Sequence, residues 1–457
     1  MKFQSKPIEE HAEVPLADDG QWEALVSHFR GRAPFQHAVA EGGNACYVLS
    51  VQRRSNPHSS SRLSEIVGLV EAQGDRIVGQ QVLTLLRPDP RTLLRSGVAE
   101  RVGEQARSAG ADMLVLDAEL SPSQTRNLED VTGLPICDRE AVILNVFERH
   151  ATTARARIQV EIAHLEYLRP RIRGIGLNMD QQAGGLMRAR GPGETASELL
   201  ARRLDSRLAD LRRRLAHLKR ADRAQRKHRE GCARVVLVGY TNAGKTSLMN
   251  GLTSAGLSAR DRPFETLDTT SRSLSRHGGD VLLSDTVGFI RRLPERLFAS
   301  FESTLAEACE ASLLLLVVDV SDPEVEQHVA TTTGVLEKLG AAGIPRLVVF
   351  NKRDRVEQEP EAAWLSDVAA EHPHVLLSSR DEDAVAGLRQ RILAAVRGHH
   401  EVREVFVPYP QGHVTSEIYA GCRVLESRAV PHGTQFRIEG EPHVVKAIAA
   451  SLRKGRR

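Results

Sequence analysis

The residues best suited by type and spacing to do chemistry lie past the middle of the chain. Gly239-Tyr240-Thr241-Asn242-Ala243-Gly244-Lys245-Thr246, with Ser247 next, has the spacing G-x-x-x-x-G-K-T between an apolar run and the helix-like SLMNGL. Small residues at such a bend let backbone N–H groups wrap a phosphate, and the following helix presents its positive end to the same anion. Lys245 would reach the β- and γ-phosphates, and the Thr246 hydroxyl would ligate Mg2+.

The partners that a P-loop needs follow in order. Asp285-Thr286-Val287-Gly288 ends an apolar stretch. There Asp285 can orient Mg2+ through water, and the Gly288 N–H can sense a γ-phosphate. Asn351-Lys352-Arg353-Asp354 follows the run LVVF. A carboxylate at Asp354 accepts from the N1–H and N2 amino group of guanine and rejects adenine, which offers neither donor in place. Asn351 would tie this loop to the P-loop, and Ser378-Ser379-Arg380 would bring backbone N–H donors beside guanine O6. Between the first two motifs lies Phe264-Glu265-Thr266-Leu267-Asp268-Thr269-Thr270. One of its threonines must supply the second Mg2+ ligand, and spacing alone does not choose it. The chemistry expected is binding of GTP and GDP with hydrolysis of the first to the second. Phe289 follows Gly288 where many such enzymes carry a water-orienting glutamine. A phenylalanine cannot hold a water by hydrogen bonding, which predicts slow intrinsic turnover accelerated by a partner.

These motifs need strands that deliver them to one edge. Apolar runs at Val281–Ser284, Leu313–Val320, Leu347–Phe350 and Val375–Leu377 alternate with helical patterns, predicting a mostly parallel, doubly wound α/β sheet over 232–398. Upstream, residues 1–44 read as a loose arm and 45–146 as a small α/β domain of alternating short strands and helices. Residues 147–230 read as an antiparallel helical hairpin. Ala151, Ala154, Ile158, Ile162, Leu165 and Leu168 line its first helix, and Ala201, Leu204, Leu208, Leu211, Leu215 and Leu218 keep a heptad seam on its second. A Gly-rich loop, Arg173 to Glu194, joins them. Residues 401–457 form a small, strand-rich C-terminal domain.

Across 457 residues, hydrophobic content is 41% and charged content 26%, a globular balance. No apolar run approaches the ~20 residues of a membrane helix. Neither a secretory leader nor a C-x-x-C pair is evident among the five cysteines, which predicts a cytoplasmic protein with reduced thiols. The net charge of +3 hides an uneven distribution. Arg149 to Arg229 holds roughly twenty Lys and Arg against about eight acids, enough to attract a polyanion. The residues alone leave open a regulatory GTP switch acting on a protein effector, with these helices merely solvated.

Several stretches resemble the HflX family of translational GTPases. They are Asp285-Thr-Val-Gly-Phe-Ile290 with Leu293-Pro294, Phe301-Glu-Ser-Thr-Leu305, Phe264-Glu-Thr266-Leu-Asp268, Arg157-Ile-Gln-Val-Glu161, Gly191-Pro-Gly-Glu194-Thr195 and Leu120-Ser-Pro122. The resemblance covers about 60–450. By alignment it makes Thr266 the second Mg2+ ligand. It also implies a monomer that binds ribosomal RNA of the large ribosomal subunit and dissociates or rescues stalled ribosomes, or a paralogue protecting ribosomes against antibiotics. The family's Gly-x-Gly-Lys turn is replaced here by Arg95-Ser-Gly-Val-Ala-Glu100, and its Asp-Arg-Thr by Asp138-Arg139-Glu140. These departures fit a diverged paralogue and fall on the partner-binding half.

Overall fold

In a computed structural model, the described residues are 43–53, 59–172, 196–227, 233–253, 270–274, 281–286, 288–291, 294, 296–298, 308–397, 401–440 and 442–454. The chain divides into two compact units between Asn145 and Val146. The arm, the hairpin loop, Phe264–Asp268 and Val287 lie outside the described residues, apart from the last two residues of the arm.

The first unit alternates β1 (Ala45–Arg53), α1 (Ser59–Ala72), β2 (Arg76–Leu85), α2 (Ser96–Ser108), β3 (Met113–Leu116), α3 (Pro122–Thr132) and β4 (Ile136–Asp138). All four strands are parallel, in the order β2-β1-β3-β4. Local sequence explains α3 at both ends. Ser121 and Gln124 form a capping box with Pro122 in the first turn, and Gly133 ends the helix at φ 68°. Next comes α4 (Arg139–His150), which the periodicity does not reveal. Its residues Ala141, Val142, Ile143, Leu144, Val146 and Phe147 are all buried, so they give an apolar run, interrupted only by Asn145, in place of a 3.6-residue stripe.

In the second unit, α5 (Ala154–Ile172) and α6 (Ala196–Lys227) pack as the hairpin. Leu200, Leu204, Leu208 and Leu211 are buried, whereas Leu215 and Leu218 are only half-buried. The seam expected to run through Leu218 therefore fades. A 32-residue helix outruns a 19-residue partner, so its far end has less to pack against. Arg169–Asp205 (2.6 Å), Arg207–Glu161 (2.8 Å) and Arg212–Glu166 (2.7 Å) join the two helices.

A six-stranded sheet follows, ordered β10-β9-β8-β5-β7-β6. Its parallel members are β5 (Ala233–Gly239), β7 (Val281–Asp285), β8 (Leu313–Asp319), β9 (Arg346–Asn351) and β10 (His374–Leu376). The edge strand β6 (Thr270–Ser273) is antiparallel to β7. Helices α7 (Lys245–Thr253), α8 (Val325–Lys338), α9 (Ala362–Val368) and α10 (Glu382–Arg397) complete this part. Strand β8 is buried along nearly its whole length, as a strand covered on both faces must be. The register pairs Leu237 with Asp285, Gly239 with Val317, and Asp319 with Asn351. The polar residues are thus collected at the carboxyl ends of adjacent strands, where doubly wound sheets bind ligands.

The chain ends in a three-stranded antiparallel sheet, ordered β11-β13-β12, with β11 (Glu401–Pro408), β12 (Arg423–Val430) and β13 (Gly433–Gly440). Helices α11 (Gly412–Gly421) and α12 (Pro442–Lys454) add Val414, Ile418 and Ile448 to a core built on Val405, Val407, Phe436 and Ile438. Among the described residues no helix is long and apolar enough to cross a membrane.

Candidate nucleotide site

Two glycines shape the loop between β5 and α7. At Gly239 φ is +152° and a Cβ would lie 2.2 Å from the carbonyl oxygen of Val317; at Gly244 φ is +90° and a Cβ would lie 2.2 Å from Asn351 Nδ2. Any side chain at either position would collide with its neighbour. Asn242 adopts φ 62°, a conformation that asparagine tolerates better than most residues.

Lys245 is 7% exposed, and its Nζ donates to the carbonyls of Gly239 (3.1 Å) and Tyr240 (2.7 Å). Burial pushes this ammonium down to about 8; Asp285 opposes the shift and Lys352 adds to it. An anionic ligand would relieve that cost. The Thr246 hydroxyl donates to Asp285 Oδ2 at 2.8 Å, so two hard oxygen donors converge at the start of α7. This donor set suits Mg2+. The Thr286 hydroxyl donates to Leu237 O at 2.7 Å, fixing the end of β7 to β5. Gly288 lies so close to the loop that a Cβ there would meet Thr241 Cα at 2.9 Å and Lys245 Nζ at 3.0 Å. Phe289 is 2% exposed, and it pairs with the P-loop through its backbone.

The loops after β9 and β10 join the same edge. Asn351 is fully buried; its Nδ2 donates to Ala243 O (2.9 Å) and its Oδ1 accepts from Ser379 N (2.8 Å). One side chain thereby links the P-loop, the loop after β9 and the loop after β10. Asp354 Oδ1 accepts from the Ser378 hydroxyl at 2.6 Å, and Arg380 approaches Oδ2 at 3.4 Å. The Ser378 bond, with Arg380 and Arg355 nearby, holds this carboxyl below the usual carboxylate range. Arg353 turns away to pair with Glu359.

Sequence reading passed over Asp319, whose Oδ2 takes the Lys352 ammonium at 2.8 Å. A lone carboxylate closing the buried run LLLLVVD was the available signal. Of the candidate site residues singled out earlier, Phe264, Glu265, Thr266, Leu267, Asp268, Thr269 and Val287 lie outside the described residues; the other residues of the P-loop, Asp285–Gly288, Asn351–Asp354 and Ser378–Arg380 gather at this edge.

Comparison with known proteins agrees with this geometry. Residues 60–148, 150–229 and 234–352 match, in turn, families described as GTP-binding GTPase N-terminal, GTP-binding GTPase middle region and 50S ribosome-binding GTPase. A protein named GTPase HflX from Spirochaeta thermophila is 40% identical over 401 residues, covering 87% of this chain and 97% of that protein. The chain belongs to the HflX family of GTPases. Another GTPase HflX, from Gluconacetobacter diazotrophicus, is 39% identical over 404 residues and covers 86% of each chain. Among solved structures, a GTP-binding protein from Sulfolobus solfataricus in complex with GDP is similar, with a TM-score of 0.43 and 22% identity over 77% of this chain and 98% of that one. As an HflX-family member the chain is a P-loop enzyme that binds and hydrolyses GTP.

Proposed function

We propose that this GTPase acts in the cytoplasm as a monomer on the large ribosomal subunit, dissociating or rescuing stalled ribosomes in its GTP-bound state. The observation that carries the proposal is the charge of the hairpin. Most acids on α5 and α6 are engaged by arginines within the hairpin, including Glu161, Glu166, Asp205 and Asp210. The arginines outnumber them, and the side chains of Arg212, Arg213 and Arg214 are 62%, 77% and 58% exposed. A rigid, positively charged arm suits the phosphate backbone of RNA, and its binding should weaken steeply with salt.

At the nucleotide site, the N–H groups of the loop Tyr240–Thr246 would cradle the phosphates, with Lys245 on the β- and γ-phosphates. Thr246, Asp285 through water, and Thr266 would hold Mg2+, which when bound neutralises charge on the phosphate oxygens. Asp354 would read guanine N1–H and N2, Ser379 and Arg380 would offer donors to O6, and Gly288 would report the γ-phosphate. Phe289, buried and without a polar side-chain group, leaves the attacking water without a side-chain hydrogen bond from that position, so intrinsic turnover should be slow.

The test is sedimentation of intact ribosomes through gradients after incubation with the protein and a non-hydrolysable GTP analogue, at low and moderate salt. Appearance of separate subunits, suppressed by salt or by charge reversal of Arg212 and Arg213, is expected. Intact ribosomes carrying bound protein would replace splitting with protection. No co-sedimentation at either salt would overturn the reading.

A further inference from the structure

The P-loop and the segment after Asp285 are joined by more than the nucleotide they would share. Phe289 N donates to Gly239 O (3.0 Å), Thr241 N to Phe289 O (2.8 Å), and Arg291 N to the phenolic oxygen of Tyr240 (3.0 Å). The guanidinium of Arg291 then leaves the loop and turns to the start of α8. There it pairs with Glu324 and lies 3.3 Å from His328 Nε2. His328 in turn stacks on the Tyr240 ring, with centroids 3.7 Å apart and planes 10° from parallel, and directs Nδ1 toward Asp322 at 3.4 Å. The side chains of Arg291, Glu324 and His328 are 13%, 4% and 11% exposed. The circuit therefore closes through four places in the chain: P-loop, switch segment, the turn before α8, and α8 itself.

Asp322, Glu324 and His328 also place their ligand atoms within 4.8 Å of one another, close enough to hold a metal ion. Here the guanidinium on Glu324 and His328 is the cation of the cluster, so we read it as an ion pair. A buried ion pair is a poor device for stability alone, since burying both charges offsets much of their attraction. It does specify one arrangement against others, and this one concerns the segment that must respond to a γ-phosphate. In it Gly288 is pressed on Thr241 and Lys245, and Phe289 is sequestered.

We infer that Arg291 is a positioning residue that restrains hydrolysis: held by Glu324, His328 and Tyr240, it clamps residues 288–291 to the P-loop, and its release is the step that speeds GTP turnover. The inference needs only that the chain hydrolyses GTP, so it stands or falls independently of any ribosomal partner. A ligand or partner would accelerate the enzyme by drawing Arg291 away from Glu324, because the backbone pairing alone is weaker than pairing plus ion pair.

Steady-state GTP hydrolysis by the full chain, without partner, tests this. Glu324→Gln keeps the shape and removes the charge. Basal kcat should rise by about tenfold with KM changed by less than about twofold. Arg291→Lys should give a smaller rise, since an ammonium keeps the charge without the fork. The charge-swapped pair Arg291→Glu with Glu324→Arg should return kcat toward the parent value. A contact with no part in turnover leaves kcat where it is, so an unchanged kcat in a cooperatively melting Glu324→Gln protein would overturn the inference. A fall would also overturn it, by showing that Arg291 supports the productive arrangement. If Glu324→Gln does not fold, Tyr240→Phe, which deletes only the hydroxyl that accepts from Arg291 N, decides by the same readout.

Discussion

The chain contains one parallel and one mostly parallel sheet that put charged side chains at the carboxyl ends of their strands, yet they use those charges in opposite ways. In the six-stranded sheet, Lys245, Asp285 and Asp354 lie at the edge that carries the loop shaped by Gly239 and Gly244, and on the proposed reading they are kept for phosphate, metal and base. In the four-stranded sheet, the charges satisfy one another. Arg139, 3% exposed, pairs with Glu65 and with Asp117 (2.6 Å), while Asp138 accepts from Ala141 N (2.9 Å) and Leu120 N (3.3 Å), so it caps α4 and fixes the preceding loop. Topology alone therefore does not make a site. What differs is a loop shaped by glycines, against a knot in which one guanidinium serves two carboxylates and backbone N–H groups serve a third.

Replacing one cation from each sheet sharpens the contrast most. Lys245→Met should reduce GTP hydrolysis by about a thousandfold, because the charge on the transferring phosphate loses its partner. The melting temperature should hold or rise, since a buried ammonium is removed. Arg139→Leu should do the reverse. It leaves Glu65 and Asp117 without their guanidinium and should cost about 3–5 kcal/mol of local stability, read by hydrogen exchange in β1–β4, with GTP affinity unchanged. Should Lys245→Met melt early while Arg139→Leu is silent, the distinction between the two sheets collapses.

A smaller effect concerns the base. Asp354→Asn should weaken GTP by at least about a hundredfold and favour xanthosine triphosphate, whose C2 carbonyl can accept from the new amide. Competition binding with both nucleotides measures it. Equal loss for both would mean that Asp354 supports the loop and does not read the base.

The smallest effect is a pH dependence in the four-stranded unit. Burial pushes the Glu129 carboxyl up to about 7, with Asp130 adding, against its hydrogen bond from Ile136 N and the charge of Arg126. A carboxyl raised in the folded state favours folding while protonated, so its contribution is present below the unfolded value near 4.5 and is lost as pH rises through about 7. Glu129→Gln, whose amide oxygen can still accept from Ile136 N, should remove that slope and stabilise the unit by about 1–2 kcal/mol at pH 8. A slope that persists in the variant assigns it to another group.

Much of the six-stranded sheet was legible in the sequence because its signals are local. Gly239, Gly244, Lys245, Asp285 and Asn351 each follow an apolar run that can only be a buried strand. Helix α4 escaped because full burial erases amphipathic periodicity, and β6, the polar run Thr-Ser-Arg-Ser, offers no alternation to read. The hairpin seam was overextended since a heptad pattern does not state the length of its partner. The Arg139 knot and the Arg291 circuit were invisible for a deeper reason. Their members, such as Tyr240, Arg291, Glu324 and His328, are distant in sequence and carry no spacing rule; only the packed sheet brings them together.

The most direct test of the account is GTP turnover by the full chain, alone and with purified large ribosomal subunits, at two salt concentrations. Slow turnover alone, strongly stimulated by the subunits and losing that stimulation as salt rises, is the predicted result. Turnover that is fast without subunits, or that stays slow with them while GTP remains bound, would contradict it.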